Sequence, residues 1–225
     1  MVEKKVYSQM LLFALSFLWP LGTIFAQTSF HIKGGLNFAN MVDLKPTTDV
    51  TSTLKIGFNA GIAIKSDMTS KIYLSPSFQF SSKGQNFLLL ANRKVNYLEV
   101  PIHIGYQVTE TDKNTVSIFT GPYVGLATSA KSITSALFNK KVSILNVGNN
   151  PANDWIRPWE FGFSIGADVQ MNKSSCGVQF SHSINNLSPD FKNNAILKNK
   201  VLNIYYCYQI GEKIKLNSFR TNSLH

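Results

Sequence analysis

Along residues 96–108 the even positions are apolar or aromatic (Leu98, Val100, Ile102, Ile104, Tyr106, Val108), and the odd ones are polar, small or proline (Glu99, Pro101, His103, Gly105, Gln107). A period of two over a dozen residues predicts a β-strand with one oily face. The same rule recurs along the chain. Phe30, Ile32, Leu36 and Phe38 oppose His31, Lys33, Gly35 and Asn37; Ile56, Phe58, Ala60, Ile62 and Ile64 oppose Lys55, Asn59, Gly61 and Lys65; Ile72, Leu74, Phe78 and Phe80 oppose Tyr73, Ser75, Ser77 and Gln79. After the 96–108 stretch, Val116, Ile118, Val124 and Leu126 oppose Ser117, Gly121, Tyr123 and Gly125. Trp159, Phe161, Phe163, Ile165 and Val169 then oppose Glu160, Gly162, Ser164, Gly166 and Asp168. Cys176, Val178, Phe180 and Ile184 oppose Gly177, Gln179, Ser181 and Ser183, and Leu202, Ile204, Tyr206, Tyr208 and Ile210 oppose Asn203, Tyr205, Cys207 and Gln209. Eight strands are predicted, with no Lys, Arg, Asp or Glu on any apolar face. The 96–108 stretch exceeds the ~9–11 residues that cross a bilayer at a tilt.

The connections alternate in length. Residues 41–54, 85–95, 129–158 and 185–200 read as long loops, while those near 67–70, 109–115 and 172–174 read as tight turns rich in Asp, Asn, Ser and Thr. One rim of turns and one rim of loops predicts an all-β, eight-stranded antiparallel up-and-down transmembrane β-barrel. Alternation alone does not say which face points inward, but volume does. An eight-stranded barrel has an interior just wide enough for side chains to fill it, so the bulky Phe, Ile, Leu and Trp set belongs against lipid and the Gly, Ser, Asn and Gln set inside. Tyr106, Trp159, Tyr206 and Tyr208, near strand ends, fit an aromatic girdle.

The chain begins with Lys4 and Lys5, an apolar run from Met10 to Trp19, and Ile24-Phe25-Ala26 before Gln27. This predicts a signal peptide over 1–26, a barrel domain over 27–211 and a C-terminal periplasmic tail over 212–225. The formal charge of +10 becomes +9 once Glu3, Lys4 and Lys5 leave with the leader. The lysines are scattered through loops, turns and one strand face, with no basic helix and no aromatic-basic RNA signature, so anionic lipid head groups are the expected partner and nucleic acid is not. Cys176 and Cys207 are the only cysteines. They sit on opposite parities of neighbouring strands, which forbids the Cβ approach a disulfide needs, so two free thiols are expected, Cys176 toward lipid and Cys207 toward the lumen.

Several phrases resemble the PorT-like outer-membrane β-barrel family: His31-Ile-Lys-Gly-Gly-Leu-Asn-Phe38, Leu74-Ser-Pro-Ser-Phe-Gln-Phe-Ser-Ser-Lys-Gly84, Tyr97-Leu-Glu-Val-Pro-Ile102 and Gly121-Pro-Tyr-Val-Gly125. The resemblance implies an integral protein of the outer membrane of a Gram-negative-type envelope, with other envelope or secretion proteins as partners, since the name-giving members belong to secretion and gliding machinery. It also implies that prolines such as Pro76, Pro101 and Pro122 are tolerated inside the strands.

The inward groups with chemistry to offer are Lys33, Lys55, Glu99, His103, Glu160 and Asp168, together with His31 and Lys65. Buried charges must be paired, so the expected role is a lumen polar network that plugs the barrel, with Lys55 beside Glu99 or Glu160. The alternative is a small-molecule-binding barrel or a lumen enzyme that uses Glu99 and His103. No Gly-x-Ser-x-Gly, His-Glu-x-x-His, phosphate-loop or dinucleotide motif and no paired-cysteine metal spacing occurs, so no cofactor is expected. The reading is a non-enzymatic envelope scaffold or a component of a secretion, gliding or adhesion apparatus.

Overall fold

The computed structural model describes residues 27–43, 52–87, 91–111, 114–136, 139–189 and 196–215. The expected signal peptide and residues 216–225 of the expected tail lie outside the described residues.

Ten strands run β1 (Gln27–Asp43), β2 (Ser52–Thr53), β3 (Lys55–Asp67), β4 (Ile72–Phe87), β5 (Ala91–Glu110), β6 (Asn114–Ala136), β7 (Asn139–Leu145), β8 (Trp159–Met171), β9 (Ser174–Ser183) and β10 (Leu197–Lys215). Eight of them form a ring in which each strand pairs antiparallel with its neighbours, in the order β1, β3, β4, β5, β6, β8, β9, β10. Pairing of β10 with β1 closes it. Closure removes the edge that a strand in lipid could not leave unpaired.

Inside and outside follow the alternation. Ile62, Ile104 and Ile165 are 60%, 56% and 60% exposed, while Asn37, Glu99 and Glu160 on the opposite parity are 2%, 4% and 0% exposed. Backbone pairing consumes the N–H and C=O groups of the wall, and the outward apolar row meets hydrocarbon. Cys176 is exposed and Cys207 buried, and both are free thiols. Tyr206 is the residue directly opposite Cys176.

One rim carries the short turns. Met68 and Thr69 N–H groups both bond to the Ile72 carbonyl, at 2.8 and 3.0 Å, to close the β3–β4 hairpin. Met171 pairs with Ser174 across a two-residue turn in which Asn172 has a φ of 54°, a left-handed conformation that Asn tolerates better than most side chains.

The other rim differs from the expectation in that strand pairing enters all four segments expected as loops, reaching Asp43 and Ser52–Thr53 in the first and beginning at Leu197 in the last, and most fully in the second and third. Residues 85–87 and 91–95 are strand rather than loop, with Phe87 of β4 opposite Ala91 of β5. Residues 129–158 begin as an arm, with β6 running to Ala136 and β7 folding back along it from Asn139 opposite Ala136 to Leu145 opposite Ala130. Above the membrane a paired strand has water on both faces and needs no long oily row, so the alternation shortens while the pairing goes on. At the turn rim β10 likewise continues past the expected barrel limit at residue 211, with Ile214 opposite Thr28.

The three in-strand prolines fall on adjacent strands, and the ladder lapses beside them. Between β4 and β5 it passes from Ile102 opposite Pro76 to Glu99 opposite Gln79. Between β5 and β6 it passes from Tyr123 opposite Pro101 to Thr120 opposite Ile104. A proline offers no N–H to its neighbour, and placing all three side by side confines the missing bonds to one patch of wall.

Candidate functional site

The lumen is filled in three levels from the loop rim to the turn rim. At the loop rim is an apolar plug of Met41, Val95, Tyr97, Ala127, Ala130, Ile156 and Leu187, with Trp155, Val147, Leu145 and Leu197 packed against it. Ile156 and Leu187 come from the β7–β8 and β9–β10 connections, so two of the long connections fold back over the mouth. Backbone bonds hold them there: Arg157 N–H donates to the Leu187 carbonyl at 2.8 Å, and Leu187 N–H to the Leu197 carbonyl at 2.9 Å.

Beneath the plug lies a charged centre. Lys83 Nζ stands 2.5 Å from Glu99 Oε1 and 3.0 Å from Glu160 Oε1. Tyr123 OH donates to Glu160 Oε1 at 2.7 Å, Asn199 Nδ2 to Glu160 Oε2 at 2.8 Å, and Gln79 Nε2 to Glu99 Oε2 at 2.9 Å. The ammonium also lies 5.0 Å from the centre of the Tyr97 ring and 4.9 Å from that of Tyr123, within cation–π range. One cation between two carboxylates leaves a formal charge of −1, which the neutral donors spread.

Two features of the wall make this centre. Residues 81–85 of β4 are all buried, without the usual alternation, because above Ser81 the strand leaves β3 and leans over the lumen. Asn37 Nδ2 on β1 reaches it there, donating to Ser81 Oγ and to the Ser82 carbonyl, each at 3.1 Å. Glycine supplies the second feature: a Cβ on Gly162 would run into the Tyr123 ring, so its absence lets that ring lie flat against β8 and reach Glu160. Below, Asn37 Oδ1 accepts from Asn59 Nδ2 at 2.9 Å and from Asn203 Nδ2 at 3.0 Å, tying the neighbouring strands β3, β1 and β10 together on the lumen face of the wall.

Lys55 takes no part. Its Nζ donates to Asn92 Oδ1 at 2.6 Å, and its stem lies against Gly84. The expected pairing with Glu99 or Glu160 is therefore corrected: Lys83 holds both carboxylates. Lys55 opens β3 opposite Ala39, too near the rim to reach a centre seated at the level of Gln79 and Glu99. The signal that could have found Lys83 is the parity of β4 itself, since Tyr73, Ser75, Ser77 and Gln79 point inward and positions 81 and 83 continue the series.

The third level is a cavity of about 60 Å³ on the turn side, lined among others by His31, Lys33, Lys65, Tyr73, His103, Asp168, Tyr205 and Cys207. His103 Nε2 and Ser164 Oγ lie 2.7 Å apart, and the His103 ring centre is 4.8 Å from that of Phe119. Tyr205 OH donates to Asp168 Oδ2 at 3.3 Å. Glu99 does not line this space; it borders a separate gap of about 10 Å³, below or at the lower limit for one water. Six residues proposed from sequence for one network thus divide: Glu99 and Glu160 in the centre, Lys33, His103 and Asp168 around the cavity, and Lys55 at the rim. Among the described residues no group of three or more His, Cys, Asp or Glu is placed to hold a metal ion.

A family profile, "Outer membrane protein beta-barrel domain", matches residues 25–189. The curated proteins gave no match. Among solved structures, the attachment invasion locus protein Ail of Yersinia pestis is similar at 14% identity and a TM-score of 0.42, covering 82% of this chain and 99% of its own. OprG from Pseudomonas aeruginosa is similar at 15% identity and a TM-score of 0.43, covering 84% and 98%. Neisserial surface protein A is similar at 8% identity and a TM-score of 0.44, covering 81% and 99%.

Proposed function

The chain belongs to the outer membrane protein β-barrel domain family, and from that premise we propose that it works without catalysis, as an envelope scaffold or a component of a secretion, gliding or adhesion apparatus. The observation that carries this reading is the Lys83 centre under its apolar plug. A charged centre bound into its own ion pairs beneath a covering apolar plug offers a solute no route through, so the surfaces left for function are the outer wall and the loop rim. The phrases 97–102 and 121–125, which resemble PorT-like proteins, support a place in secretion or gliding machinery.

A substrate site shared by Glu99 and His103 finds no support. The two residues border different spaces, and Glu99 already accepts from Lys83 and Gln79.

The test is affinity purification of the tagged protein from detergent-solubilised outer membrane after cross-linking in cells. The scaffold reading expects a defined set of envelope proteins that returns in reciprocal purifications. Purification of the barrel alone, with a metabolite bound or turned over, would remove it.

A further inference from the structure

We propose that the turn-side cavity is a binding site for a small inorganic anion, held by the ammonium groups of Lys33 and Lys65. This goes beyond the scaffold reading and stands independently of it. Three lysines in one lumen are partnered differently. Lys83 is matched by two carboxylates within 3.0 Å. Among the described residues, Lys33 and Lys65 have no carboxylate within 4.0 Å, although Asp168 acts on both from farther off.

Their contacts are instead with neutral groups. Lys33 Nζ donates to Gln179 Oε1 at 3.0 Å and sits 4.1 Å from the centre of the Tyr205 ring. Lys65 Nζ donates to Gln170 Oε1 at 3.1 Å and sits 4.1 Å from the centre of the Tyr73 ring. An ammonium has three donors, so each lysine keeps donors to spare while both side chains line the same cavity. The single carboxylate there, Asp168, opposes an anion, but Tyr205 OH already donates to it, and two cations against one anion leave the formal balance at +1.

The neutral groups point the same way. His31 and His103 each engage a serine through Nε2, at 2.9 and 2.7 Å. Both rings line the cavity, and in the tautomer that carries its proton on Nδ1 each keeps an N–H beyond its serine bond. About 60 Å³ of room holds several water-sized species, enough for a halide or one small oxyanion with part of its hydration. A cation enclosed in excess of the one carboxylate is costly, and an anion bound to Lys33 or Lys65 lowers that cost. Gln170 and Ser175, beside the β8–β9 turn, also line the cavity, which puts it on the side of the short turns.

The experiment uses the full barrel in detergent. Crystals grown in bromide should show an anomalous peak within hydrogen-bonding distance of Lys33 or Lys65 Nζ. In solution, the unfolding midpoint should rise saturably with chloride or bromide at constant ionic strength, balanced by a bulky organic anion. A parallel phosphate series separates the sources: a response to halide alone marks a halide-sized site, and a response to both marks a site that also admits an oxyanion. Lys33→Met and Lys65→Met should each weaken the half-saturating concentration by about tenfold or more, the scale of one lost hydrogen bond to a charged group; Lys173→Met at the exposed turn should not. If a variant does not fold, the bromide map of the unaltered protein decides. An empty cavity in that map, with midpoints that follow ionic strength alone, would overturn the proposal and leave a water-filled space.

Discussion

Lys83 and Glu99 meet at 2.5 Å although they are not opposite one another in the sheet. The partner of Glu99 across the β4–β5 ladder is Gln79, and that of Lys83 is Val95. The lysine therefore reaches four positions down the lumen, past Ser81, to place its charge between Glu99 and Glu160. This reach joins β4, β5 and β8 through one atom.

Removing that atom should be costly. Lys83→Met leaves two carboxylates, 4% and 0% exposed, without their cation, and breaking a buried pair costs about 3–5 kcal/mol. Urea unfolding in detergent micelles should show a loss on that scale. Lys55→Met, which breaks only the bond to Asn92, should cost about 1 kcal/mol. Adding Glu99→Gln and Glu160→Gln to Lys83→Met should recover part of the loss, because no charge is then stranded.

The direction of the two faces is testable by charge. Ile62 and Ile102 point outward, 60% and 44% exposed, and a lysine at mid-membrane on a barrel's outer face costs roughly 2–4 kcal/mol. Ile62→Lys and Ile102→Lys should lower the folded band in a heat-modifiability gel. Ser75 lines the turn-side cavity, so Ser75→Lys should be milder. Equal tolerance of all three would contradict the assignment of faces.

Gly162 makes a third prediction. With the Tyr123 ring occupying the place of its missing side chain, Gly162→Val has to push the ring away from Glu160. Overpacking of this kind costs about 1–3 kcal/mol, and the loss should be smaller in a Tyr123→Phe background, where the hydrogen bond to Glu160 is already gone.

Much of this architecture was readable in the sequence because a barrel wall has one rigid rule. Period two fixes the face of each residue, so the eight strands, the outward Ile62 and Ile102, the inward Glu99 and Glu160, and the opposite faces of Cys176 and Cys207 all followed from position. Intact mass after alkylation of the unreduced protein should accordingly show two added groups. What the pattern did not carry was anything above the membrane or across the lumen. The β6–β7 arm has only Ile133, Val142 and Ile144 on one face, too short an oily row to announce it. The Lys83 centre depends on β4 leaning inward beyond Ser81 and on a diagonal reach of four residues, neither of which parity encodes. Ile156 and Leu187 look like loop residues until the connections fold back and bury them.

Conductance across a planar bilayer shows whether the lumen is closed. The purified, refolded barrel should insert without producing stable current steps, because the apolar plug and the Lys83 centre fill the path. Steady ohmic steps from the unaltered protein, enlarged by Lys83→Ala, would show that ions pass along the lumen and would contradict its closure.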